Sequence, residues 1–371
     1  MKIIIVGTAH PYRGGIAEFN HRMATQFLKE GHEVEIYNFS LQYPSFLFPG
    51  KTQYSDDPAP EGIKIVRNVN SCNPFNWLKI GRKLRRSGAD LVIMRFWLPY
   101  MGPCLGTIAR VCGKKARKVA VLDNLIPHEK RPGDKIFARY FIKSMDAMLA
   151  MSQSVLNDTY LFDSAKPRLL SPHPIYDTYG TSLSKQEAAM ALGLDPDEEY
   201  MLFFGFIRDY KGLDLLMKAM AEPEMKDCRA KLVVAGEFYN NSEQYMALER
   251  EKGLEGRIIW RTEFIPQEQV ASYFCAADLI VQPYKTATQS GVTQIGYHFE
   301  KPMVVTDVGG LSEIIPDGKT GYVVPPEPKE IAKAVARYFR EKPDFLPAIK
   351  EQKKKYDWAT FTKAIYSIYI A

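Results

Sequence analysis

The sequence predicts an α/β protein with two doubly wound parallel sheets, each covered by helices on both faces. Short β-branched runs alternate with amphipathic stretches along all 371 residues. The runs are apolar on both faces, as in buried parallel strands. A proline-containing break divides them into two sets of six. At about 150 residues per domain, the length also favours two domains.

The strand-like runs are rich in valine, isoleucine and leucine and are separated by helical or turn patterns. The first set comprises residues 3–6, 34–37, 63–66, 91–94, 119–122 and 147–151. The second set comprises residues 201–204, 232–235, 258–260, 279–281, 303–306 and 322–324. Such repeated alternation of strand and helix is typical of doubly wound sheets.

Amphipathic stretches between these runs predict helices. The clearest covers residues 16–30, where Phe19, Met23 and Phe27 share one face and Gly31 provides a stop signal. Similar patterns predict helices over residues 213–220, 266–276 and 358–369.

The domain boundary is predicted at the break around residues 167–183, which contains Pro167, Pro172, Pro174 and Gly180. We therefore expect one domain over residues 1–170, a linker over 171–183 and a second domain over 184–355. The pattern of the final helix, within residues 356–371, is compatible with packing on either domain.

Charge is distributed unevenly around a net value of +6. Residues 1–178 hold 25 Lys/Arg against 15 Asp/Glu, whereas the remainder is acidic by four charges. The first half is thus expected to meet an anionic partner. No apolar run reaches the roughly 18 residues of a membrane span. The five cysteines lack metal-ligand spacing, which favours reduced thiols and a cytoplasmic location.

In doubly wound sheets, ligands bind at the carboxyl ends of strands. After the run 201–204 come Arg208 and Lys211, two cations suited to a diphosphate. After the run 279–281 come Ser290 and Gly291, where free N–H groups at a helix start form an anion site. The alternatives are a solvated charged turn and an ordinary capped helix.

The first half offers two further candidate sites. Gly14 and Gly15 open a helix after the first run, where backbone N–H groups approach a ligand closely. Their spacing is not that of dinucleotide-binding loops, and a plain tight turn is the alternative. Asp123 and His128 lie in a titratable cluster after the run 119–122, which indicates an acid–base or sugar-hydroxyl site. Nucleophile-elbow, HExxH and Walker motifs are absent.

Several strings resemble glycosyltransferase family 4, the large retaining group with the GT-B fold. They are the glycine pair at the first βα turn, KGLDLL, VVAG, FIPQEQVASYFCAADLIVQPY and KPMVVTDVGGLSEIIPDGKTGYVVPP. The resemblance covers nearly the whole chain and is most specific over residues 203–325. The strings TQSGVTQIGYHFEKP and DNLIPHEKRPGD resemble a bacterial subgroup that builds surface polysaccharides.

The resemblance implies two Rossmann-like domains facing a cleft, with a nucleotide-sugar donor on the C-terminal domain and the acceptor on the N-terminal domain. Lys211 would hold the donor diphosphate, together with N–H groups of Ser290, Gly291 and Val292. Gly15 would close over the phosphates, and the last helix would return to the N-terminal domain. Other implied donor-binding residues are Gly14, Gly205, Arg208, Gly236, Phe264 and Ile265.

The sequence departs from the family pattern at three places. Two glutamates of the family fall on Ala287 and Ile295, so Gln289, Thr293, Gln294 or Glu300 would hold the donor sugar and ribose instead. The usual arginine falls on Phe206, and Arg208 would substitute for it. The usual histidine falls on Asp123, and His128 would supply the imidazole.

The resemblance implies a retaining transferase. We expect it to work without a metal ion or a cofactor, because Arg208, Lys211 and the Ser290 helix would stabilise the leaving diphosphate. Asp123 and His128 complete the predicted catalytic set. The acceptor would be a glycan or a lipid-linked acceptor in polysaccharide biosynthesis.

The basic first domain also suggests a peripheral contact with the inner face of the cytoplasmic membrane, through Phe75, Trp77 and the cations that follow them. A solvated helix face is the alternative. Alternative functions are a sugar-nucleotide epimerase or phosphorylase of similar fold, and a non-catalytic sugar-nucleotide or glycan-binding protein. Nucleic acid is not an expected partner.

Overall fold

A computed structural model describes residues 1–44, 53–55, 58–127, 131–175, 177–239, 242–287 and 290–370. The chain forms two compact units. The first comprises Met1–Pro174 and Asp357–Ala371, and the second comprises Ile175–Tyr356. The predicted linker 171–183 includes the point between Pro174 and Ile175 at which the chain first passes from one unit to the other. Within the described ranges, no helix combines the length and the apolar character that crossing a bilayer requires.

The first unit contains a parallel sheet of seven strands in the order β3-β2-β1-β4-β5-β6-β7. The strands are β1 (Lys2–Val6), β2 (Glu33–Leu41), β3 (Lys64–Asn70), β4 (Leu91–Phe96), β5 (Arg117–Leu122), β6 (Ala147–Ala150) and β7 (Arg168–Leu170). The helices between them are α1 (Gly15–Lys29), α2 (Pro74–Arg86), α3 (Gly102–Cys112), α4 (Asp134–Ile142) and α5 (Gln153–Thr159). The central strands are fully buried because helices cover both faces.

The second unit contains a parallel sheet of six strands in the order β10-β9-β8-β11-β12-β13. The strands are β8 (Tyr200–Phe204), β9 (Lys231–Ala235), β10 (Ile258–Arg261), β11 (Leu279–Gln282), β12 (Met303–Thr306) and β13 (Gly321–Val324). Its helices are α6 (Lys185–Ala191), α7 (Leu213–Met220), α8 (Glu243–Lys252), α9 (Gln267–Ala276), α10 (Gly291–His298), α11 (Leu311–Ile314), α12 (Pro328–Glu341) and α13 (Leu346–Lys353).

The last helix, α14 (Trp358–Ile370), belongs to the first unit. The ring of Trp358 packs edge-on against Phe19 of α1 with centroids 4.9 Å apart. The Thr362 hydroxyl donates to the Glu30 carboxylate at 2.7 Å, and Tyr366 donates to the same carboxylate. Aromatic packing and hydrogen bonds therefore hold the end of the chain on the face of α1.

The prediction of two doubly wound sheets is confirmed, with one correction to the strand count. The first sheet has seven strands, because Arg168–Leu170 pairs in parallel with β6. This short strand falls in the segment that its prolines mark as a break. Pro167 precedes the strand, and its carbonyl accepts from the Met148 N–H at 3.0 Å. An edge strand tolerates a proline at such a position.

Candidate functional site

Two loops of the second unit come together at the carboxyl edge of its sheet. From β8 the chain proceeds to β9 and β10 on one side, then returns to β11 on the other side. The loops after β8 and β11 therefore flank the topological switch point, where doubly wound sheets bind ligands. Lys211 is in the first loop and Ser290 is in the second, so the structure brings these two predicted residues to the same edge.

Lys211 ends a 3-10 turn, Asp209–Lys211, which leads into α7. Its Nζ lies 3.4 Å from the Phe204 carbonyl oxygen and 5.7 Å from the centre of the Tyr284 ring. Burial, together with the positive charge of the nearby Arg208 guanidinium, lowers the pKa of Lys211 to about 7. Among the described residues, Lys211 has no carboxylate partner. An anion brought beside Nζ would therefore supply missing charge compensation.

Three glycines make room for this lysine. A Cβ at Gly205 would lie 2.8 Å from Lys211 Nζ, and a Cβ at Gly236 would lie 2.5 Å from the Gly205 carbonyl oxygen. Gly212 has φ 68°, and a Cβ there would lie 1.9 Å from the Pro283 carbonyl oxygen. A side chain at Gly205 would displace the Lys211 ammonium, whereas side chains at Gly212 and Gly236 would meet backbone atoms and force the turn and the strand ends apart.

Arg208 lies on the same turn but points towards the loop after β9. Its guanidinium carbon is 3.6 Å from the centre of the Tyr239 ring, which is a cation–π arrangement. Stacking leaves the edges of the guanidinium fork available to a ligand. Arg208 and Lys211 thus place two positive groups at one edge of the sheet.

Ser290 caps α10, as the sequence predicts. Its side chain accepts from the Val292 N–H at 3.2 Å, and its Oγ lies 3.2 Å from the Tyr284 hydroxyl oxygen. Tyr284 therefore contacts both the Lys211 ammonium and the helix cap. The N-terminus of α10 carries partial positive charge close to Lys211, which suits an anion with several oxygens.

Other predicted donor residues have different surroundings. The Thr293 hydroxyl bonds the buried Gln282 side chain at 3.1 Å, so Thr293 joins α10 to β11. Glu300 follows the C-terminal end of α10, roughly 12 Å along that helix from Ser290, and pairs with Lys353 at 3.3 Å. The structure does not bring Glu300 to the Lys211 edge. Gln294 is fully buried, and its amide has no hydrogen-bond partner in the described part of the chain.

The remaining predicted residues of this unit lie after β10 or in α10. Phe264 is exposed and Ile265 is buried, and both follow β10, two strands away from β8. Gly291 and Val292 form the first positions of α10. Gln289 lies outside the described residues, as does His128 of the first unit.

In the first unit, a buried asparagine fixes the loop that precedes Gly14 and Gly15. The Asn38 side chain accepts from the Ala9 N–H at 3.0 Å and donates to the Ala9 and His10 carbonyls at 2.7 Å. Gly14 precedes α1 with φ 106°, and Gly15 is its first residue. Asn38 was not among the predicted residues, although a polar residue directly after the apolar run 34–37 was a usable signal.

Asp123 is held by an arginine that was not among the predicted site residues. The buried Arg95, at the end of β4, donates through Nε and Nη2 to both carboxylate oxygens of Asp123, which follows β5. The guanidinium also packs 3.7 Å from the centre of the Phe19 ring. Burial lowers the pKa of the neighbouring His173 to about 3, and the Arg95 charge contributes. Arg95 thus fixes the Asp123 carboxylate at the carboxyl edge of the first sheet, one strand away from the switch point between β1 and β4.

The sequence is similar to a glycosyltransferase family and to proteins named as glycosyltransferases. Residues 198–341 match the family model described as "Glycosyl transferases group 1". An uncharacterized glycosyltransferase of Methanocaldococcus jannaschii is 24% identical and covers 100% of this chain and 98% of its own length. The lipopolysaccharide core biosynthesis mannosyltransferase LpsB of Rhizobium meliloti is 28% identical over 57% of this chain and 60% of that protein.

Solved structures show the same fold. Sucrose-phosphate synthase from Thermosynechococcus elongatus superposes with a TM-score of 0.77 at 16% identity, over 100% of this chain and 98% of that one. Anabaena HepE in complex with UDP superposes with a TM-score of 0.74 at 15% identity, over 99% of both chains.

Two parallel α/β domains of this topology form the GT-B fold, which the chain shares with these structures. The family match over residues 198–341 of the second unit and the relatives named as glycosyltransferases support a glycosyltransferase enzyme.

Proposed function

We propose that the protein transfers a sugar from a nucleotide-sugar donor to a glycan or lipid-linked acceptor in polysaccharide biosynthesis, with retention of anomeric configuration. The observation that carries this proposal is the pairing of Lys211 with the α10 N-terminus at one switch point. A diphosphate has the charge and the acceptor oxygens that both groups require. Anabaena HepE, of the same fold, has been solved with UDP-glucose.

The proposed chemistry is electrostatic. Negative charge develops on the diphosphate as the bond to the sugar breaks, and preorganised donors stabilise that charge better than water does. Lys211, Arg208 and the first N–H groups of α10 provide these donors without a metal ion. The acceptor hydroxyl attacks from the face that the diphosphate leaves. Its proton passes to the departing phosphate oxygen, which gains basicity as the bond breaks.

Gln294 is our proposed ligand for the donor's sugar or ribose hydroxyl groups. Its buried amide lacks a partner in the described residues, and leaving such a group unpaired costs about 1–3 kcal/mol. A hydroxyl group supplied by the donor would satisfy it. Gln294 therefore has better structural support than Thr293 or Glu300, whose side chains already have protein partners.

The proposed donor specificity is tested with a thermal-shift panel of UDP-, GDP- and ADP-sugars. One base is expected to raise the melting temperature progressively with concentration. Incubation with the stabilising donor alone should release sugar slowly. NMR of the sugar that is released first should show the same anomeric configuration as in the donor. An isomerised sugar nucleotide would instead indicate an epimerase, and the inverted anomer would contradict retention.

The lowered pKa of Lys211 predicts that donor binding is coupled to proton uptake. Above pH 7 the free amine becomes neutral, whereas a diphosphate diester, which has no titrating group in this range, favours the ammonium. Affinity for the nucleotide sugar should therefore fall as the pH rises from 7 to 9. Calorimetry at pH 8 in buffers of different ionisation enthalpy should show uptake approaching one proton. Lys211→Gln should abolish both effects, and pH-independent wild-type binding would contradict the assignment.

The acceptor side of the proposal includes a peripheral membrane contact through α2, α3 and α4. Right-handed crossovers place these helices on one face of the first sheet and α1 on the other. Their exposed cations form no ion pair with a carboxylate among the described residues. These cations are Lys79, Arg82, Lys83, Arg85, Arg86, Arg110, Lys114, Lys115, Arg131, Lys135, Arg139 and Lys143.

Exposed apolar side chains accompany these cations. Phe75 on α2 is 83% exposed and Ile136 on α4 is 71% exposed. Trp77 was predicted to contact the membrane, but it is held by the protein instead. Its indole N–H donates to the Asn70 carbonyl at 2.7 Å and its ring packs against the core. Cations around projecting apolar groups are typical of proteins that bind an anionic bilayer surface.

Vesicle sedimentation tests this contact. The protein should bind phosphatidylglycerol vesicles, bind phosphatidylcholine vesicles less, and dissociate as salt increases. Phe75→Ser combined with Ile136→Ser should weaken binding about tenfold, since each removes apolar area from the interface. Ile370→Ser, at a site 81% exposed on α14, is the matched control and should bind normally. Equal binding by all three proteins would rule out this face.

A further inference from the structure

Lys285 lies in the loop after β11, directly beside the turn that carries Lys211. Its Nζ is 2.7 Å from Asp209 Oδ1 and 2.9 Å from Asp214 Oδ1. Its backbone N–H donates to the Tyr210 carbonyl at 2.7 Å. Asp209 begins the 3-10 turn and Asp214 lies in the first turn of α7. One ammonium group therefore ties together the two sides of the turn that ends at Lys211.

The two lysines have opposite electrostatic surroundings. Burial opposes the charge of Lys285, but hydrogen bonds to Asp209 and Asp214 raise its pKa overall. Lys211 Nζ contacts a carbonyl and an aromatic ring but no carboxylate among the described residues. The charge of Lys285 is thus neutralised by the protein, whereas that of Lys211 remains available to an anion.

The neighbouring residues of the Lys285 loop also contact this turn. The Pro283 carbonyl oxygen packs against Gly212, and the Tyr284 ring faces both Lys211 and Tyr210. Gly205 leaves no space for a methyl group beside Lys211 Nζ. The position of the ammonium therefore depends on the register between the two loops, and displacements near 1 Å strongly reduce productive contacts.

We propose that Lys285 is a positioning residue for the donor diphosphate. It clamps the turn 209–214 through Asp209 and Asp214, so that Lys211 Nζ stays at the switch point beside the α10 N-terminus. Lys285 itself does not touch the phosphates. This inference rests on the proposed function, specifically on Lys211 as a diphosphate ligand.

A double-mutant cycle measures this coupling with UDP, GDP and ADP, using whichever nucleotide binds. Lys285→Met should weaken diphosphate binding about 5- to 50-fold, within the range of coupled neighbouring residues. In the Lys211→Ala background, the same change should weaken binding less than about twofold, because the positioned group is gone. Binding of the corresponding monophosphate should fall less than that of the diphosphate in Lys285→Met.

The direction in which a second substitution changes diphosphate affinity distinguishes a positioning role of Lys285 from direct contact with the phosphates. Asp214 also pairs with Lys218 at 3.3 Å, whereas Asp209 pairs with Lys285 alone among the described residues, so Asp209→Asn is the informative change. If Lys285 acts as a clamp, Asp209→Asn should weaken diphosphate binding. If Lys285 contacted phosphate directly, Asp209→Asn would release its ammonium group and tighten binding, which would overturn the proposal. Lys285→Arg, which retains a charge for both carboxylates, should recover most of the affinity.

Lys185→Met is the matched control. Lys185 has a side-chain exposure of 32%, against 31% for Lys285, and likewise pairs with a carboxylate, Asp278, at 2.9 Å. This variant should retain wild-type affinity. If Lys211→Ala leaves binding unchanged, the proposed function fails. If Lys211→Ala weakens binding but Lys285→Met acts equally in both backgrounds, only the positioning role fails.

Discussion

Replacing Lys211 with alanine is expected to weaken nucleotide-sugar binding about 10- to 100-fold while leaving the protein folded. A hydrogen bond to a charged group contributes about 1.5–3 kcal/mol, which corresponds to this range. The apo protein should not lose stability, because burial already disfavours the ammonium and lowers its pKa to about 7. Calorimetric titration measures the affinity, and thermal melting without ligand measures the fold.

The appropriate control for this variant removes a lysine of the same unit that already has a carboxylate partner. Lys231 pairs with Glu198 at 3.0 Å. Glu198 precedes β8 and Lys231 begins β9, so this pair lies at the amino ends of the strands, opposite the Lys211 edge. Lys231→Ala should bind the donor normally. Wild-type affinity in Lys211→Ala, or an equal loss in both variants, would show that the diphosphate is not held by Lys211.

Replacing Gly212 with alanine is expected to destabilise the second unit by about 2–5 kcal/mol and to remove donor binding. Two costs combine at this position. The left-handed backbone conformation costs a non-glycine residue about 1–2 kcal/mol. A new Cβ only 1.9 Å from the Pro283 carbonyl oxygen adds an overpacking cost of about 1–3 kcal/mol. Urea denaturation of both proteins measures the difference.

Gly253→Ala isolates the backbone cost from the steric cost. Gly253 directly follows α8 with φ 63°, close to the 68° of Gly212, but a Cβ there would meet no atom within 4 Å. This variant should lose only about 1–2 kcal/mol and retain donor affinity. Equal destabilisation by the two substitutions would contradict the close contact between the Lys211 turn and Pro283.

The convergence of Lys211 and Ser290 was predictable because it follows from strand order. Apolar runs locate the strands, and the carboxyl ends of parallel strands lie at one edge. The predicted helix over residues 213–220 coincides with α7, Leu213–Met220. The strand Arg168–Leu170 was missed because it is three residues long and lies among prolines, where local composition favours a turn.

Side-chain partners were less predictable than positions. Glu300 is near Ser290 in sequence, but the intervening α10 carries it away from the Lys211 edge. Thr293 faces a buried glutamine, and the indole of Trp77 bonds a backbone carbonyl. These contacts depend on tertiary packing, which residue spacing does not encode.

Arg95 is a partial exception, because an arginine within the apolar run of β4 requires a buried partner. The sequence contained that signal, and Asp123 at the end of the adjacent strand satisfies it. Lys285 gave no comparable signal, since its partners lie more than 70 residues earlier in the chain.

A crystal structure of the full chain with the stabilising nucleotide sugar tests the central claim most directly. The diphosphate oxygens should lie within hydrogen-bond distance of Lys211 Nζ and of the N–H groups of Gly291 or Val292. Phosphates bound in another loop, with Lys211 Nζ still against the Phe204 carbonyl, would contradict the account.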